Sequence, residues 1–142
     1  MSGYRLLEHT GDMAFRVEAP TWPALLALAS AALGAVILEP RDPDGGRPGQ
    51  VELEVEGADR EDVLVAWLNE ALLRFETEGL VPRTAVLRRA DATRARGLVT
   101  GRRLDLAREA VDRVVKAATY HDLEVIEGGG AQPWRATVVL DL

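Results

Sequence analysis

The fold class is decided by residues 51–79, VELEVEGADREDVLVAWLNEALLRFETEG, where the apolar pattern changes from a period of two to a helical period. In the first part, valine and leucine alternate with three glutamates, which is typical of a strand buried on one face. In the second part, apolar side chains recur at helical spacing: Val63, Leu64, Trp67, Leu68, Ala71, Leu72 and Phe75. Asp59 suits the N-cap, Asp62 resembles the acidic member of a capping box, and Gly79 suits the helix end. The stretch predicts a strand and then a helix over about Arg60 to Glu78.

A first helix is predicted upstream, in TWPALLALASAALGAVI, residues 21–37. Thr21 suits the N-cap, and Pro23 stands in the first turn, where its missing N–H costs no hydrogen bond. Its apolar face comprises Leu25, Leu28, Ala29, Ala32, Leu33 and Val36. The following segment EPRDPDGGRPGQ, residues 39–50, is rich in Pro, Gly and Asp and predicts a loop.

The other patterned segments predict strands. MAFRVEA alternates apolar and polar side chains, and TAVLRR with RGLVTGRRL fits a hairpin. DRVVKAATYHDLEVIE predicts one or two strands, and WRATVVLDL predicts the last one. Two helices and about six to eight strands indicate an α+β fold, with the helices packed on a mostly antiparallel sheet. We expect one domain over residues 1–142, and tandem strand–helix–strand–strand units fit the order of elements.

The composition excludes several classes of protein. The chain of 142 residues has no cysteine, which excludes a thiolate metal site, a disulfide framework and a cysteine nucleophile. The N-terminal segment lacks the basic start and apolar run of a signal peptide. No apolar run approaches the roughly 20 residues that span a bilayer. We therefore expect a cytoplasmic protein with no membrane partner.

The charge favours a protein partner over bare RNA. The net charge of −6 opposes non-specific RNA binding, because that binding depends on Lys and Arg neutralising phosphates. A local arginine cluster is interpreted as the solvated face of a hairpin: Arg88, Arg89, Arg94, Arg96, Arg102 and Arg103. We expect contact with RNA only indirectly, through a protein partner.

Two aspartates stand at strand ends that a sheet can bring together. Asp12 follows His9 at the entry to the MAFRVEA strand, and Asp141 lies next to Leu142 at the end of the last strand. The two carboxylates and the oxygens of Leu142 would form an all-oxygen set of the kind that Ca²⁺ and Mg²⁺ prefer. The alternative is structural: Asp12 caps a turn, and Asp141 is a solvated residue.

The segment VKAATYHDLEV, residues 115–125, contains the only lysine, Lys116, and one of the two histidines, His121. On a regular strand Lys116 and His121 point to opposite faces, which argues against joint action on one substrate atom. A bulge would reverse that relationship. The alternative for His121 is a hydrogen-bonded structural histidine. The chain has no nucleophile elbow, phosphate loop or zinc motif, so its sequence only weakly indicates an enzyme.

Four segments together resemble the archease family: YRLLEHTGDMAFRVEA, EDVLVAWLNEALLRFETEG, VVKAATYHDLEV and WRATVVLDL. The resemblance runs from about Tyr4 to Leu142, with the segments in the family's order and spacing. It implies an α+β fold of strand–helix–strand–strand units. It also implies an accessory protein that is not itself an enzyme, which promotes guanylylation and multiple turnover of an RtcB-type RNA ligase in tRNA splicing or RNA repair.

The resemblance further implies a divalent metal site, with calcium as the associated ion. Its ligands carry over onto Asp12, Asp141 and the main-chain oxygen of Leu142. Lys116 and His121 match the family's second motif and, with His9, are candidate functional residues.

Two other functions remain alternatives. A small metal-dependent phosphoesterase using Asp12, His9 and Asp141 predicts hydrolysis by this protein alone. A generic chaperone that binds proteins or RNA predicts several unrelated partners and no stimulation of ligation.

Overall fold

Two helices and seven strands make up the described part of the chain in a computed structural model. It describes residues 3–9, 12–38, 46–105 and 114–142, with only the main chain for residues 8 and 9. The elements are β1 (Gly3–His9), β2 (Asp12–Ala19), α1 (Trp22–Ile37), β3 (Arg47–Glu56), α2 (Arg60–Glu78), β4 (Leu80–Ala90), β5 (Arg94–Arg103), β6 (Ala117–Ile126) and β7 (Trp134–Asp141). The predicted α+β class is confirmed.

The strands form two antiparallel sheets, one in the order β1-β2-β7-β6 and one in the order β3-β5-β4. The predicted hairpin is β4–β5, and β6–β7 is a second one, closed by a turn in which Gly129 bridges Gln132. No sequence pattern predicted β1, which pairs with β2 at the edge of the four-stranded sheet.

The strand–helix–strand–strand units are nested. One unit is β3-α2-β4-β5, which forms the three-stranded sheet by itself. The other consists of β2 and α1 followed, after that whole unit, by β6 and β7. The tandem order considered from the sequence is therefore replaced by an insertion. Period-2 alternation could not show this, because it marks a strand and not the partner of that strand.

Both helices begin and end where the sequence predicts. The Thr21 hydroxyl accepts a hydrogen bond from the Ala24 N–H (3.2 Å) at the start of α1. At the start of α2, Asp59 Oδ1 accepts from the Asp62 N–H (2.9 Å), while Asp62 Oδ2 accepts from the Ala58 N–H (2.8 Å). The second bond reaches the residue before the N-cap, so the capping box is shifted by one residue from its usual form.

The end of α2 and the beginning of β3 provide one confirmation and one correction. Gly79 ends α2 in the left-handed region, with φ of 74°. The predicted loop over residues 39–50 is wrong for its last part, because β3 already begins at Arg47. Pro48 is tolerated there because β3 is an edge strand. Residues 39–45 lie outside the described ranges.

Buried side chains from both sheets and both helices form one hydrophobic cluster, with Phe15, Trp67, Leu64, Val138 and Leu140 among its members. Within the described ranges, no helix is both long and apolar enough to cross a bilayer.

A buried hydrogen-bond link and a close approach of two main chains determine how α1 packs in this core. The buried Ser30 hydroxyl donates to the Leu26 carbonyl oxygen and accepts from the Trp67 indole N–H, each at 2.9 Å, which links α1 to α2. A Cβ on Gly34 would lie 1.8 Å from the Pro82 carbonyl oxygen, so α1 rests directly on the main chain of β4.

The solvated face predicted for the arginine cluster is confirmed for four of its six members. Arg88, Arg89, Arg94 and Arg96 are exposed, whereas Arg102 and Arg103 are partly buried. Arg94 lies 3.2 Å from Glu56 and Arg96 lies 3.9 Å from Glu52, so β3 glutamates compensate β5 arginines.

Candidate functional site

The β2–β7 pairing brings the two predicted aspartates together at one end of the four-stranded sheet. Asp12 and Asp141 are direct register partners. Asp12 is also the partner of His9 on β1, and Asp141 is the partner of Ala117 on β6. One row thus crosses all four strands, with the two aspartates on its central strands. The His9 side chain lies outside the described part of the structure.

Register determines how close the two carboxylates are. Residues directly opposite each other in an antiparallel pair project to the same face, with Cβ atoms about 4.5–5.5 Å apart. Asp12 is half-buried and Asp141 is exposed. Among the described side chains, neither carboxylate has a hydrogen-bond or ion-pair partner. Two like charges opposite each other are unfavourable, so this strand end suits a cation.

Main-chain contacts beside Asp141 determine which oxygens are free. The Lys116 N–H donates to the Asp141 carbonyl oxygen at 2.8 Å, so that oxygen is already engaged. The next main-chain oxygen is that of Leu142, whose half-buried side chain packs against the core. Lys116 itself is exposed next to the aspartate pair.

The donor set fits a hard divalent cation. In the described part of the chain, no group of three or more His, Cys, Asp or Glu side chains is placed to hold a metal ion. The predicted set needs only two carboxylates, from Asp12 and Asp141, and a main-chain oxygen, from Leu142. These are all oxygen donors of the type that Ca²⁺ and Mg²⁺ take.

The second predicted motif lies where β6 departs from regular pairing. Thr119 pairs with Val139 and Glu124 pairs with Thr137, so residues 120–123 stand opposite Val138 alone. Asp122 within this segment has a φ of 51°, in the left-handed region. The alternation assumed for Lys116 and His121 is wrong beyond Thr119, because the register shifts by extra residues on β6.

The shift leaves His121 on the surface. Its side chain is 73% exposed, and Nε2 lies 3.3 Å from Asp122 Oδ2. His121 therefore contacts an acid, as a structural histidine would, but it takes no part in the core. The structure does not bring it into the row of Asp12 and Asp141.

Helix α2 holds β6 at the beginning of this departure, through residues that the sequence reasoning did not select. The Asn69 side chain accepts from the Ala118 N–H at 2.8 Å and donates from Nδ2 to the Ala118 carbonyl oxygen at 3.2 Å. The Tyr120 hydroxyl donates to the Asp62 carboxylate. That bond lowers the pKa of Asp62 and raises the pKa of Tyr120. The available signal was Asn69 itself, because asparagine is disfavoured inside helices.

Comparisons with known proteins agree with this architecture. A sequence model described as the Archease protein family matches residues 4–142. Protein archease of Methanopyrus kandleri is 36% identical over 140 residues, 96% of each chain. Protein archease of Archaeoglobus fulgidus is 33% identical over 125 residues, 86% of this chain and 88% of that protein. The solution structure of protein 1598 of Methanobacterium thermoautotrophicum has a TM-score of 0.73 and 24% identity over 99% of both chains, which shows a common fold.

Proposed function

The chain belongs to the archease family, and from this membership we propose that it is an accessory protein that activates an RtcB-type RNA ligase. It would promote guanylylation of the ligase and let the ligase turn over repeatedly, in tRNA splicing or RNA repair. RNA would be contacted through the ligase, and the place of action would be the cytoplasm. The identity of the partner is inferred from the family, and the following features of the chain support the proposal.

The observation that carries the proposal is the direct pairing of Asp12 with Asp141. With the main-chain oxygen of Leu142, these carboxylates would hold a divalent cation, which we propose to be calcium. The bound ion would supply positive charge that offsets the two opposed carboxylates. The strand end would then present this centre, with the exposed Lys116 beside it, to the ligase.

An activator of this kind works through differential affinity. A protein that shifts a partner toward one state must bind that state more tightly than the other. The sheet end around Asp12 and Asp141 should therefore bind the GTP-reactive state of the ligase better than its resting state.

The test follows guanylylation of the cognate ligase with labelled GTP. Native protein should stimulate it, and Asp12→Ala should not, while circular dichroism shows that the variant is folded. Glu124→Ala is the matched control. Glu124 is an exposed acid of the same sheet opposite Thr137, about 13 Å along β7 from Asp141.

Equal stimulation by native protein and Asp12→Ala would exclude this site as the carrier of the activity. Hydrolysis of a phosphoester by the native protein alone would favour the phosphoesterase alternative instead. Calorimetric titration with Ca²⁺ and Mg²⁺ identifies the ion, and Asp12→Ala should abolish the binding.

A further inference from the structure

The start of β6 is short and held from two sides. Its regular pairing with β7 covers only Ala117, Ala118 and Thr119 before the register shift. On the other side, no strand in the described part of the chain pairs with β6, which is an edge of the four-stranded sheet. There the Asn69 side chain binds both the N–H and the carbonyl oxygen of Ala118, as a neighbouring strand would. The Asn69 side chain of α2 thus makes the pair of main-chain contacts that a neighbouring strand would make.

This contact is directly connected to the aspartate row. Ala118 pairs with Leu140, and the preceding residue pair joins Ala117 to Asp141. The Lys116 N–H, two residues before Ala118, donates to the Asp141 carbonyl oxygen. A displacement of Ala118 would therefore also displace Ala117, which pairs with Asp141, and the Lys116 N–H, which donates to Asp141.

We propose that Asn69 is a positioning residue for the cation centre of Asp12, Asp141 and Leu142. The inference rests on the proposed function, since it concerns the same site. Asn69 holds the beginning of β6, the beginning of β6 holds the main chain of Asp141, and the carboxylate then stands opposite Asp12. Residues that orient metal ligands in this indirect way typically change metal affinity about 10- to 100-fold when they are replaced.

A second contact between α2 and β6 supplies the control. The Tyr120 hydroxyl donates to Asp62 at the beginning of the irregular segment, on the side of Ala118 away from Lys116. Tyr120→Phe removes a hydrogen bond between the same two elements without touching the contact at Ala118. Asn69→Leu removes both bonds to Ala118, whereas Asn69→Asp keeps the acceptor and loses the donor.

Two measurements on the full chain test the inference. Amide hydrogen exchange at Lys116, in metal-free protein, reports the strand end itself. Calcium titration, at a temperature where circular dichroism shows every variant folded, reports the site. In both Asn69 variants, we expect the amide hydrogen of Lys116 to exchange faster than in the native protein. We also expect both variants to bind calcium about 10- to 100-fold more weakly. Tyr120→Phe should stay within about twofold of the native protein in both.

The outcomes separate this inference from the proposed function. Unchanged Lys116 exchange in both Asn69 variants overturns the inference, and so does native calcium affinity in those variants. If Tyr120→Phe changes Lys116 exchange and calcium affinity as much as the Asn69 variants do, the inference is also overturned, because α2–β6 packing in general would then be responsible. If the native protein binds no calcium and does not stimulate the ligase, the proposed function fails. Selective faster exchange in the Asn69 variants would still establish that Asn69 positions the strand end.

Discussion

Asp12 and Asp141 stand directly opposite each other on two antiparallel strands, with no compensating partner among the described side chains. Like charges directly opposite each other on neighbouring strands destabilise a sheet. Cross-strand pairs of side chains change stability by about 0.2–1 kcal/mol. Without a bound cation, the native strand end should therefore be less stable than the same strand end with one of the two charges removed. If the proposed cation binds between the two carboxylates of the folded protein, its binding would add to the folding stability.

The first prediction concerns Asp141→Asn. Without metal the variant should be more stable than the native protein by about 0.2–1 kcal/mol, because the opposed charges are gone. It should also lose the stabilisation that calcium gives the native protein. Thermal unfolding with and without calcium checks both effects, with Glu124→Gln as the control for charge. A variant that is less stable without metal, or still stabilised by calcium, contradicts the prediction.

The second prediction concerns Ser30→Ala. It leaves the buried Trp67 indole N–H without the acceptor that it has at 2.9 Å, which should cost about 1–3 kcal/mol. Urea unfolding measures the change. Thr77→Ala is the control, because the Thr77 hydroxyl makes the same bond to a carbonyl four residues back on an exposed surface. Similar costs for both would show that the link between the helices is unimportant.

The third prediction concerns Gly34→Ala. Alanine normally stabilises a helix interior relative to glycine by about 1 kcal/mol. Here its Cβ would collide with the Pro82 carbonyl oxygen, and a main-chain atom cannot move aside alone. We expect a net loss of about 1–3 kcal/mol in denaturant unfolding. Gly129→Ala is the control and should have little effect, because a Cβ on Gly129 meets nothing within 4 Å. A Gly34→Ala variant at least as stable as the native protein would refute the packing argument.

The fourth prediction concerns acid stability and Asp91 in the β4–β5 turn. The Thr93 N–H and the Arg89 side chain lower its pKa from 3.8 to about 2. A lowered folded-state pKa stabilises the fold above the unfolded value, and this contribution is lost as the pH falls from about 3.8 to 2. Native protein should therefore exceed Asp91→Ala in unfolding free energy above pH 3.8, and the difference should shrink towards pH 2. A constant difference across this range would argue against the prediction.

The sequence by itself determined the local elements. Thr21, Asp59 and Gly79 mark helix ends because capping depends on side chains within a few residues of the backbone groups that they satisfy. The glutamates of β3 reveal a one-sided strand because alternation is a property of the strand alone. This alternation is weak in β1 and in the first residues of β3 from Arg47, and the sequence did not predict these strand segments.

The candidate site was predictable in its residues and not in its geometry. Carboxylates at two strand ends, Asp12 and Asp141, could be selected from the sequence and from the family resemblance. Their pairing could not, because a strand's sequence does not name the strand beside it. His121 shows the same limit, since its position depends on a register shift that is visible only against β7.

Only the tertiary structure decided which distant segments meet. It inserted one strand–helix–strand–strand unit into the other, and so brought β7 back to β2. It also placed Asn69 of α2 against Ala118 of β6, which no helical or strand period could indicate. The physical reason is that periodicity reflects which face of an element is buried, whereas pairing and docking depend on contacts between elements far apart in the chain.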